Sequence, residues 1–123
     1  MGLDTFAVLP QRVGTEEYTP APDWPFAGIE LCGGIFSGGS GSSSFRGKVY
    51  NDYISEVTGV SLYQEYIPPA RVREMALALE VAVQRYSDEG FKEFGLTGRE
   101  EAEALARWFR IAAENGYALY NWW

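Results

Sequence analysis

Apolar residues recur at helical spacing in three stretches of this 123-residue chain and at strand spacing only in brief runs. Val49, Tyr50, Tyr53, Ile54 and Val57 form an apolar stripe that predicts a first helix over 45–58, with Ser44 as N-cap and Gly59 as its left-handed stop. Val72, Met75, Ala76, Leu79 and Val83 define the buried side of a second helix running to about Tyr86. Pro68 and Pro69 open it, where a missing backbone donor costs nothing. Ala102, Leu105, Ala106, Phe109 and Ala113 mark a third helix that Gly116 ends. The Thr97-Gly98-Arg99-Glu100 sequence reads as its capping box, with Glu100, Glu101 and Glu103 suiting the positive end of the helix dipole. A short helical segment is expected between Asp88 and Phe94.

Strand candidates are fewer. Residues 2–9 place Leu3, Thr5, Ala7 and Leu9 opposite Asp4, Phe6 and Val8, with both faces rather apolar. Residues 28–32 put Ile29 and Leu31 on one face, and the aromatic run 117–123 reads as a terminal strand. Pro20, Pro22 and Pro25 make 10–25 a loop that Trp24 and Phe26 are expected to pin to the core. Residues 60–67 form a connector anchored by Leu62, Tyr63 and Tyr66. No repeat of fixed period is present. The pattern predicts one α+β domain over 1–123, with three principal helices packed beside a small sheet of short strands.

Composition narrows what such a domain does. Ten Lys+Arg against seventeen Asp+Glu give a formal charge of −7, which argues against nucleic acid and anionic membranes. The absence of His removes imidazole triads, metal sites and proton shuttles. One cysteine, Cys32, allows no intrachain disulfide and no cysteine zinc site. The N-terminus does not read as a signal peptide and nothing approaches a membrane span, so a cytoplasmic protein without a cofactor is expected.

The acidity is uneven. Eleven of the fifteen residues from Gly33 to Gly47 are Gly or Ser, and Leu31–Asn51 contains no acid but carries Arg46 and Lys48, a local charge of +2. A strand, a Gly-rich loop and a helix start together make a phosphate cradle. The specific motifs fail, however. Five residues separate Gly41 from Gly47 where a P-loop has four, Val49 replaces the magnesium-binding hydroxyl, and Ser44 stands where a dinucleotide fingerprint needs its third Gly. The candidate ligand-binding set is therefore Ser40, Gly41, Ser42, Ser43, Ser44, Arg46 and Lys48, for a small anionic ligand. A mobile linker is the competing structural reading.

Other constellations are weaker. Cys32 is expected to be a small buried residue rather than a nucleophile. Asp52 and Glu56, even with Glu30 or Asp4, resemble a solvated helix face more than a cation site. Glu65 sits among aromatics before Pro68 and either titrates high or serves the second helix as a cap or ion-pair partner. Arg71, Arg73, Arg85, Arg107 and Arg110 read as surface salt-bridge partners. Trp122 and Trp123 pack on the core or on a second copy, ahead of docking another protein. The leading functional expectation is a small binding or regulatory domain, taking an anionic ligand or self-associating. The alternative is a His-independent enzyme on an anionic or phosphorylated substrate, using Cys32, a loop Ser or Glu65.

Overall fold

A computed structural model describes residues 3–10, 18–29, 31 and 43–123. Within them the chain forms β1 (Asp4–Val8), β2 (Ser44–Phe45), α1 (Gly47–Thr58), β3 (Tyr66–Ile67), α2 (Pro69–Arg85), α3 (Asp88–Glu93), α4 (Arg99–Glu114) and β4 (Ala118–Trp122), with one 3-10 turn at Trp24–Phe26. The strands make a four-stranded antiparallel sheet in the order β2-β1-β4-β3. This is the expected α+β architecture, three long helices and a short one beside a small sheet.

Alternation decides which side chains meet the helices. Thr5 faces Asn121 and Phe45 across the sheet, while Ala7, Leu119 and Ile67 share the next row; all are buried against the helical layer. At the core's centre lies Trp108 of α4, with ring centroids 4.9 Å from Phe26 and 4.8 Å from Phe45. Trp108 falls outside the predicted stripe of the third helix, which Leu105, Ala106 and Phe109 already complete, and it stands between Arg107 and Arg110 in the sequence.

Polar groups fix the joints. Thr5 Oγ1 donates to Asn121 Oδ1 at 2.7 Å in the buried layer, and Asn121 Nδ2 donates to the Gln64 carbonyl at 2.9 Å. Arg99 closes the far end of α2: its guanidinium donates to the carbonyls of Val83 and Tyr86 and lies over the Phe91 ring. Those carbonyls lack intrahelical donors, so the cation satisfies them and meets the negative end of the dipole.

Several local expectations are corrected. Ser44 is not the N-cap of α1. It pairs with Phe6 in β2, and the helix begins two residues after Phe45, at Gly47. Gly47 is pressed against β1, where an added Cβ would collide with Thr5 Oγ1. The box at the start of α4 shifts by one residue. Gly98 holds the cap position at φ 149°, and the returning carboxylate is that of Glu101, which accepts the Thr97 N–H at 3.0 Å. Asp88 of α3 accepts the Arg99 N–H at 2.9 Å, a cap supplied from another helix.

Among the described residues of the expected strand 28–32, Gly28, Ile29 and Leu31 lie in no strand. Gly28 takes φ 86° and the Ile29 N–H turns back to the Phe26 carbonyl at 3.1 Å, continuing the 3-10 turn. Phe26 does pin its loop, but Trp24 is 76% exposed and does not. Val49 is exposed and Val57 half-buried, so the buried side of α1 is Gly47, Tyr50, Tyr53 and Ile54. In the connector Leu62 is buried, whereas Tyr63 is exposed and packs edge-on to Trp123.

Candidate functional site

Of the predicted anion-binding set, Ser40, Gly41 and Ser42 lie outside the described residues, as do Cys32 and Glu30. The rest sit at the junction of β2 and α1. Ser43 and Ser44 are buried, and the Ser43 N–H donates to the Asp23 carboxylate at 2.9 Å. Arg46 Nε stands 3.9 Å from Asp4 Oδ1, an oxygen that accepts no hydrogen bond and leans on that charge instead. Lys48 is exposed, but its backbone N–H donates to the Leu3 carbonyl at 3.1 Å. The Ser43 and Lys48 N–H groups and the Arg46 guanidinium are thus turned toward Asp23 and β1, while the Lys48 side chain is exposed.

Glu65 is exposed and sits next to β3, at the edge of the sheet opposite β2. Three strand spacings, about 14 Å, separate those edges. The structure therefore does not bring Glu65 together with Arg46 and Lys48. Asp52 and Glu56 are exposed on α1. Arg71 pairs with Glu74 at 3.0 Å, and Arg110 reaches Glu80 at 3.7 Å and Glu114 at 3.8 Å, as surface partners.

A different set does converge. On the sheet side away from the helices, Phe6 pairs with Tyr120, Tyr120 with Tyr66, and Asp4 with Trp122. Phe6, Tyr66 and Tyr120 are half-buried, and Trp122 and Trp123 are 59% and 50% exposed. Tyr18 lies across this face, stacked on Tyr120 at 4.2 Å and near Tyr66 at 6.0 Å. Its phenol is held above the ordinary tyrosine range, first by desolvation and then by the charge of Glu65. Glu65 shares the lining of one hollow with Tyr120 and Trp122.

Two hollows flank the ridge made by Tyr120 and Trp122. One, about 240 Å³, is lined by Phe6, Val8, Tyr18, Pro20, Tyr120 and Trp122. The other, about 280 Å³, is lined by Glu65, Tyr120, Asn121, Trp122 and Trp123. Backbone bonds hold both in place: Asn121 N–H donates to the Glu65 carbonyl at 2.9 Å, and Leu9 and Ala21 N–H groups tie β1 to 19–21 at 2.8 and 2.9 Å. Sequence reasoning had flagged Trp122, Trp123 and Glu65 separately. What it lacked was β3, a two-residue strand too short to show a period, which sets Glu65 beside Asn121.

Nothing outside the chain adds a role, since it matches no protein-family model, no curated protein and no solved structure. No helix among the described residues is long and apolar enough to cross a membrane, and no His/Cys/Asp/Glu group among them is arranged to hold a metal ion.

Proposed function

We propose that this chain is a small binding domain that recognises a polypeptide partner on the aromatic outer face of its sheet. The observation that carries the reading is Trp122, in a paired strand of the sheet yet 59% exposed, between two hollows lined by aromatic rings. Strand residues are ordered whether or not a partner is present, so presenting an indole there costs little conformational entropy on binding. Trp and Tyr dominate binding energy at protein interfaces because they combine large apolar area with a polar atom. Four of the rings on this face are of those two types: Tyr18, Tyr66, Tyr120 and Trp122.

A displayed random-peptide library, selected on the immobilised wild-type protein and counter-selected on a Trp122→Ala/Trp123→Ala variant, tests this. Peptides that bind the wild type at least tenfold more tightly than the variant are expected, from the weight of aromatic hot spots. No enrichment over the variant contradicts the reading. So does a stable wild-type dimer that the same substitutions dissolve, which would give the face to a second copy.

A further inference from the structure

The hollow beside Trp122 has a chemistry of its own. Its walls are the rings of Tyr120, Trp122 and Trp123, and among the described residues its one ionisable lining side chain besides Tyr120 is the carboxylate of Glu65. Trp123 is oriented by an edge-on contact with Tyr63, ring centroids 5.6 Å apart. On the other side of Trp122, its cross-strand neighbour is Asp4, whose charge is already met by Arg46, so among the described residues the free acid of the site is Glu65. Indole faces carry negative potential, and a carboxylate at the rim adds a full charge. An uncharged apolar side chain has no use for the carboxylate, and an anion is repelled by it. A guanidinium or ammonium group uses both, stacking on indole while pairing with the acid. The volume, about 280 Å³, admits one long side chain. Around the site the whole chain carries −7, which attracts a basic segment from a distance before contact.

Resting on the binding role proposed above, we infer that the Glu65–Trp122–Trp123 hollow takes a cationic side chain, arginine or lysine, from a basic segment of the partner. Arginine fits better than lysine, because its planar, weakly hydrated head stacks on an aromatic ring while donating to a carboxylate.

The probe is a capped peptide of three Ser-Gly-Arg repeats, compared with the same peptide carrying citrulline, which keeps the shape and removes the charge. Each is titrated into isotope-labelled protein and followed at the indole N–H resonances of the four tryptophans. Trp122 and Trp123 should move with the arginine peptide and stay still with citrulline. Trp24, exposed but not lining the hollow, and buried Trp108 should not move. Glu65→Gln should weaken binding about fivefold, the size of one exposed charge pair, whereas Glu103→Gln on α4 removes the same net charge and should leave it unchanged. Trp122→Phe should retain most of the affinity, separating loss of the ring from loss of the fold.

Equal binding of the two peptides overturns the cationic assignment while the peptide-binding role stands. Equal weakening by Glu65→Gln and Glu103→Gln overturns it too, since net charge then suffices. Silence at Trp122 and Trp123 with both peptides also overturns it, and the library selection decides the wider role independently.

Discussion

The two faces of the sheet are built from alternate residues of the same strands, yet they come to opposite ends. Inward, Ala7, Phe45, Ile67 and Leu119 disappear under the helices. Outward, Phe6, Tyr66 and Tyr120 remain half-buried and Trp122 largely exposed. Both faces are apolar enough to be a core. The difference lies in chemistry as much as in cover: the inner set has no polar side-chain atom apart from the Thr5–Asn121 pair, whereas the outer set is mostly Tyr and Trp. Rings with a polar atom tolerate water on one side and an apolar partner on the other. A strand's hydrophobicity thus says that a residue can be buried, and its residue type says by what.

Substitutions that distinguish the faces sharpen this contrast. The largest effect belongs to Trp108→Ala, which empties the centre of the aromatic core and should lower the unfolding free energy in urea by about 3–5 kcal/mol. Gly47→Ala comes next. Its Cβ would collide with Thr5 Oγ1 and crowd Leu3 Cγ at 3.1 Å, so Thr5 or α1 must give way at a cost of about 1–3 kcal/mol. Asn121→Ala leaves Thr5 and the Gln64 carbonyl without their partner and should cost about 1–3 kcal/mol, measured the same way.

A fourth effect is conditional on pH. Tyr53 is fully buried with its hydroxyl unpartnered, and burial first, then neighbouring Tyr86, pushes its pKa up to about 12. Between its unfolded value near 10 and that limit, the unfolded chain gives up a proton that the folded one keeps. Stability is therefore intact below pH 10 and should fall by about 1.4 kcal/mol per unit above it. Tyr53→Phe should remove that part of the alkaline slope in urea titrations run at stepped pH. The smallest effect is predicted on the outer face. Trp122→Ala and Trp123→Ala should each change unfolding free energy by no more than about 1 kcal/mol.

The helices were legible because each spans several turns, so Val72, Met75, Ala76 and Leu79, or Leu105, Ala106 and Phe109, repeat often enough to declare a side. Gly59 and Gly116 marked their ends correctly, taking φ 74° and 69°. Their starts were harder to read, because caps came from elsewhere in space: Asp88 caps α4 from another helix, and the start of α1 rests on Leu3. The two-residue strands β2 and β3 carry no period and exist only through pairing with β1 and β4. That is why the candidate site was read as two unrelated features. Trp122 and Glu65 are 57 residues apart in the chain and meet only once the sheet order is known.

A binding role for the outer face is tested most directly by where a bound peptide is felt. A peptide from the library selection, titrated into the labelled wild-type protein, should move the indole N–H resonances of Trp122 and Trp123 and leave those of Trp24 and Trp108 in place. Movement confined to Trp24 or Trp108, with Trp122 and Trp123 unchanged at saturation, would contradict it.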